Sequence, residues 1–131
     1  MIFIDSNIPM YLVGADHANK HAAHEAIARS LHDGEVLATD AEVLQEILHR
    51  YVSIRRHDAI EPAMRTILGM VGHVFPIERA DVLRAASTVQ GTTLSARDAL
   101  HVAVMRRRGI DRIMTFDRGF DQVEGITRIA D

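Results

Sequence analysis

Short apolar runs alternate with longer segments of helical periodicity along the chain. Ile2-Phe3-Ile4, closed by Asp5, reads as a strand. Pro9 fits the first turn of a short helix after it, with Ser6 or Asn7 as its cap. A helix is expected from His17 to His32, stopped near Asp33-Gly34, and a second strand over Glu35–Thr39. From Asp40 to Arg56, Val43, Leu44, Ile47, Leu48, Tyr51 and Ile54 share one face of a helix. Another helix is expected over about Asp58–Val71. A short strand follows at His73–Ile77, and its proline places it at a sheet edge. Arg79–Val89 reads as a helix ended near Gly91. Ser95 then opens a helix that is apolar nearly all round, the mark of a central one. Arg106-Arg107-Arg108 and Gly109 suit its end. Arg112–Phe116 is a fourth strand, closed by Asp117, and Ile126–Ile129 a fifth. Strands alternating with helices predict the α/β class, with a parallel sheet covered on both faces.

That order bears on chemistry, because open α/β sheets bind ligands beyond the carboxyl ends of their strands. Two strands end directly in aspartate, Asp5 and Asp117, and in a parallel sheet both project from one edge. Asp98 lies one turn into the central helix, on a face shared with Val102 and Met105, and Glu46 at the margin of an apolar helix face. Each acid has an ordinary alternative. Asp5 and Asp117 suit caps or turns, Asp98 suits a capping box with Ser95, and Glu46 suits an i,i+4 pair with Arg50. Taken together, the four suggest one crevice. Two carboxylates ~5 Å apart repel by about 3 kcal/mol at an effective dielectric of 20. Four do not stay ionised together without a counter-charge: either some protonate or a hard divalent cation is present, and an all-oxygen donor set with open positions suits Mg²⁺ or Mn²⁺. Such an ion activates water and holds phosphodiester oxygens during in-line attack.

Composition narrows the reading. The chain has 131 residues, enough for one domain over 1–131, with 47% hydrophobic and 25% charged residues and no cysteine. A disulfide scaffold, a thiolate metal site and a cysteine nucleophile are thereby excluded. No apolar run is long enough to span a membrane. Met1–Asp5 lacks a basic n-region, so the expected location is cytoplasmic. The formal charge is −3, and +1 without the four acids; Lys20 is the single lysine beside 14 arginines. Net charge therefore argues against loose binding to a polyanion, but not against a nucleic-acid enzyme with a metal-filled acidic pocket.

The residues themselves resemble a known family. Asp5-Ser6-Asn7 after the first strand, Glu46 within Glu42–Leu48, Leu94-Ser95-Ala96-Arg97-Asp98-Ala99-Leu100-His101, and Thr115-Phe116-Asp117-Arg118-Gly119-Phe120 resemble, in order, the four acidic motifs of PIN-domain ribonucleases of the VapC toxin type. The resemblance covers nearly the whole chain. It implies a three-layer α/β/α domain with a mainly parallel sheet of four to five strands. It implies Mg²⁺- or Mn²⁺-dependent endonuclease action on RNA with one or two ions, held by Asp5, Glu46, Asp98 and Asp117. It also implies a toxin that forms a homodimer and is restrained by a small antitoxin. Asp121 stands where some members carry a fifth acid. Ser6, Asn7 and Thr115 are expected to support the acids through hydrogen bonds.

Arg97, His101 and Arg118 are candidates for contact with substrate phosphate, and His101 equally for a proton shuttle or for packing. Arg106-Arg107-Arg108 is expected to be a solvated helix end. His17, His21 and His24 read as a solvent-facing cluster, and Met10, Met64, Met70 and Met105 as core or interface filler. Two rival functions stand beside the ribonuclease: a metal-assisted phosphatase that phosphorylates Asp5, and a non-catalytic module of the same fold that captures a partner's arginines.

Overall fold

The computed structural model describes residues 1–130. Five strands form one parallel sheet: β1 (Ile2–Ile4), β2 (Leu37–Asp40), β3 (His73–Phe75), β4 (Arg112–Met114) and β5 (Thr127–Ile129), in the order β3-β2-β1-β4-β5. Six helices flank it: α1 (Asn7–Val13), α2 (Ala18–His32), α3 (Ala41–Ser53), α4 (Ile60–Met70), α5 (Arg79–Thr88) and α6 (Ala96–Arg107). This is the expected three-layer α/β/α arrangement. From β1 the chain builds outward to the β3 edge, then returns through α5 and α6 to lay β4 on the other side of β1. The strand order therefore reverses between β1 and β4, and a crevice opens beyond their carboxyl ends.

Strand β1 is central and wholly buried, and Phe3, Ile4, Ile8, Val43, Ile47, Ile67, Val102, Met105, Ile113 and Phe120 belong to the core around it. Helix α6 buries every residue from His101 to Met105, so its apolar circumference does mark a central helix. Side chains fix several helix starts. Asp40 accepts from the Val43 amide at 2.9 Å and Ser95 from the Asp98 amide at 3.1 Å, while Glu78 and Asp81 form a reciprocal capping box. Gly109 ends α6 with φ +69°, a conformation that favours glycine. No helix among the described residues is long and apolar enough to cross a membrane.

Some expectations need correction. The second strand begins at Leu37, because Glu35 instead pairs with the terminal amine at 3.1 Å and with Arg112 at 2.6 Å. Helix α3 ends at Ser53, and the predicted apolar face frays: Val43, Ile47 and Tyr51 are buried, whereas Leu48 and Ile54 are exposed. The arginine run is not uniformly solvated. Arg107 reaches both oxygens of the fully buried Asp81 at 2.9 Å, and Arg108 stacks over the Phe75 ring at 4.6 Å.

Candidate active site

The crevice between β1 and β4 collects the predicted acids. Asp5, Ser6, Asn7, Glu46, Ser95, Arg97, Asp98 and Asp117 line a depression of about 530 Å³. Asp5 leaves the end of β1 and its carboxylate is almost fully enclosed. Its Oδ1 accepts from the Ser6 amide at 2.8 Å, and its Oδ2 from the Thr115 hydroxyl at 2.7 Å and the Asn7 amide at 3.4 Å. Asn7 also donates to Thr115 at 2.9 Å and accepts from the Phe116 amide, stitching the ends of β1 and β4 together. Thr115 and Asn7 therefore support the acids as expected. Ser6 supports one too, but a different one: its hydroxyl reaches Glu46 at 3.3 Å and makes no capping bond to α1.

Glu46 faces inward from α3. It is not paired with Arg50; it meets Ser6 on one oxygen and His101 Nε2 on the other. His101 Nδ1 lies 2.9 Å from Asp40, and both His101 and Asp40 are fully buried. A line of contacts thus runs from the end of β2 through α6 to Glu46. His101 consequently cannot touch substrate phosphate, because it stands behind the acids with both ring nitrogens engaged. Asp40 is the one member of this line that the sequence does not single out: β2 also ends directly in aspartate, but capping α3 already accounts for the residue.

One donor atom from each of Asp5, Glu46, Asp98 and His101 lies within 4.8 Å of the others. Asp117 lines the same depression outside this tight group. Its Oδ1 accepts from the Gly119 amide at 2.8 Å, and a Cβ on Gly119 would come within 3.0 Å of that oxygen. Asp121 stands apart from the depression. Both its oxygens face Arg128, at 2.9 and 3.2 Å, so a guanidinium already fills the role a cation would take. Arg97 lines the depression and lies 3.6 Å from Glu42, while Arg118 is exposed on the turn after Asp117 and lines no part of it.

Crowding shows in the acidities. Burial pushes the Asp98 carboxyl up to about 7, reinforced by the charges of Asp5, Asp117 and Glu46 and opposed by His101. Burial also raises Asp5, against His101 and the Thr115 hydroxyl. His101 is held well above its ordinary value: burial favours the neutral ring, but Asp40 and Glu46 outweigh it. A cluster that retains protons near neutrality is short of positive charge. Three of its four close donors are carboxylate oxygens, the donor chemistry of Mg²⁺ or Mn²⁺, and the fourth, a His101 nitrogen, is already engaged. The residues present thus fit a hard divalent ion held by Asp5, Glu46 and Asp98, with Asp117 at the rim.

Comparison with known proteins agrees with this geometry. Residues 2–126 match the family model described as "PIN domain". Ribonuclease VapC13 of Mycobacterium tuberculosis is 57% identical over 131 residues, covering 99% of this chain and 100% of that one. Among solved structures, M. tuberculosis VapC20, described as a sarcin-ricin loop cleaving toxin, superposes with a TM-score of 0.81 at 24% identity over the full length of both chains. A toxin–antitoxin complex from Klebsiella pneumoniae superposes at 0.69 with 15% identity, covering 97% of this chain and 96% of that one.

Proposed function

This chain belongs to the PIN-domain family, and from that premise we propose that it is a metal-dependent endoribonuclease, the toxin of a toxin–antitoxin pair. The observation that carries the proposal is the convergence of Asp5, Glu46 and Asp98, from three separate elements, on one point of the switch crevice. The high identity to a VapC ribonuclease supports RNA as the substrate, and the toxin–antitoxin complex among the structural neighbours supports a small antitoxin as partner. We further propose that the whole chain is one domain, acts in the cytoplasm and works as a homodimer.

A divalent ion in this site would supply a Lewis acid that draws negative charge from the scissile phosphate and lowers the pKa of an attacking water. The chain's own residues set the geometry. Thr115, Asn7 and the Ser6 amide immobilise Asp5; Ser6 and His101 fix Glu46 from two sides. Asp98, raised to about 7 in the ion-free cluster, would be held ionised by a divalent ion beside it and so serve as a ligand. Asp5 suits a fixed ligand better than a phosphorylated nucleophile, since both its oxygens are bonded and its side chain is enclosed. Digestion of a defined RNA with Mg²⁺, with Mn²⁺ and with chelator tests the reading. Cleavage is expected only with metal. RNA left intact under every condition, by protein free of bound antitoxin, would favour a non-catalytic module.

The acidities predict an unusual stability profile for the metal-free protein. Asp98, Asp5 and His101 all hold protons more tightly folded than at their ordinary values. Their contribution to stability is therefore full at low pH, below the unfolded values, and is lost as pH rises through the folded ones. For Asp98 that window runs from about 4 to about 7. Measured against Asp98→Asn, which lacks this titration, the parent's Tm in chelator is expected to fall across it, and Mg²⁺ or Mn²⁺ to restore the parent's Tm most at the alkaline end. A parent-minus-variant Tm difference that stays level over the same window would contradict the charge deficit.

A further inference from the structure

Asp98 and Asp117 reach the acidic depression from two separate pieces of chain. Asp98 lies in the first turn of α6, which Ser95 caps, and a loop over residues 89–94 leads into it. Asp117 follows β4 and caps the tight turn Arg118–Gln122. Among the described residues, every hydrogen bond between 92–98 and 117–122 joins Thr93 to Gln122. The Gln122 carbonyl oxygen accepts from the Thr93 amide at 2.9 Å. Its amide nitrogen donates to the Thr93 hydroxyl at 3.1 Å and to the Gly119 carbonyl at 2.8 Å. One main-chain partner is a donor and the other an acceptor, so the side chain is satisfied in a single orientation. Each contact leads on to an acid. Gly119 donates its own amide to Asp117 Oδ1 at 2.8 Å, and Thr93 stands two residues before the Ser95 hydroxyl that accepts from the Asp98 amide at 3.1 Å. A run of hydrogen bonds and short backbone thus ties Asp117 to Asp98 along the outside of the depression.

We propose that Gln122 is a positioning residue of the acid cluster: by clasping the loop before α6 to the turn after β4, it sets the separation of Asp98 and Asp117 and hence the cluster's grip on a divalent ion. The proposal rests on the metal-site reading and goes beyond it. Hydrogen-bond partners outside the ligand set orient the ligands, and a small hard ion accepts little deviation in where its oxygens stand. The fold itself does not depend on the clasp. Phe120 anchors the turn in the core, and Leu94 is buried against the same turn, where a Cβ on Gly119 would lie 3.9 Å from its side chain. Gln122 and Thr93 are both exposed, so their contact buries no apolar surface worth counting. What it fixes is the spacing of two carboxylates.

The test compares the parent with Gln122→Met, which keeps the length of the side chain and removes both polar ends. The variant is expected to fold, with Tm in chelator little changed. In isothermal titration its Kd for Mn²⁺ is expected to rise about fivefold, the worth of roughly one net hydrogen bond. RNA cleavage is expected to need more Mn²⁺ by the same factor and to approach the parent's rate at saturation, a split that general loosening of the fold would not give. Amide hydrogen exchange on the metal-free chain supplies a readout independent of activity: Thr93 and Gly119 are expected to exchange faster than in the parent. An unchanged Kd would overturn the proposal, whatever the exchange at Thr93. So would a lowered Tm with faster exchange across the sheet, which would make the clasp a part of general stability. A parent that takes up no Mn²⁺ would bring down the metal-site reading and this proposal together. A parent that binds Mn²⁺ and cuts RNA, beside a variant that matches it in both, would bring down the clasp alone.

Discussion

Asp98→Asn is expected to abolish detectable RNA cleavage, a loss of roughly 10²–10³-fold or more, the scale seen when one preorganised electrostatic group is removed. The substitution keeps the shape of the side chain and removes its charge. The Ser95 cap to the residue 98 amide is a backbone contact and survives, so α6 starts where it did. The neutral amide also resembles the protonated carboxyl that Asp98 tends toward at about 7 in the metal-free chain. The variant is therefore expected to fold, and in chelator at alkaline pH to melt at or above the parent's temperature while losing much of its metal response. Isothermal titration with Mn²⁺, thermal melts and RNA digestion on the same sample separate these effects. Full cleavage by a pure Asp98→Asn protein would remove Asp98 from the mechanism. A variant that simply unfolds would show that the acid serves structure.

The largest stability effect is expected away from the site, at Arg107. Its guanidinium meets both oxygens of Asp81 at 2.9 Å and donates to the Pro76 carbonyl at 3.0 Å. Asp81 is fully buried; burial alone would raise its pKa, yet Arg107 and the Glu78 amide hold it below the usual carboxylate value. Arg107→Ala leaves that carboxylate enclosed without its counter-charge. Leaving that carboxylate without its partner is expected to lower the urea midpoint clearly. Adding Asp81→Ala should recover part of the loss, because the stranded charge goes with it. An unchanged midpoint for Arg107→Ala would mean that water reaches Asp81, and the pair would then rank with ordinary surface bridges.

These two sites also show what sequence can and cannot display. Ile2–Ile4, the apolar girdle of α6 and the acids at 5, 46, 98 and 117 are local patterns. Each is written within a few residues, so strand ends, a central helix and the acidic crevice were all readable. Pairings across the fold were not. Asp81 and Arg107 are 26 residues apart, and Arg107 looks like its two arginine neighbours until α5 is laid along α6. Asp40 and His101 are 61 residues apart, and capping α3 was already a sufficient local explanation for Asp40. Asp121 failed in the opposite direction. Its spacing fits a ligand, but Arg128 on β5 claims it first.

The stitching of β1 to β4 has a consequence for biosynthesis. Asp5 is made before the hydroxyl that locks its carboxylate, which belongs to Thr115, 110 positions later. Until β4 docks beside β1, Asp5 lacks this partner and the crevice lacks its second wall. The cutting centre therefore cannot be complete before Thr115 has left the ribosome, however early its first acid is made.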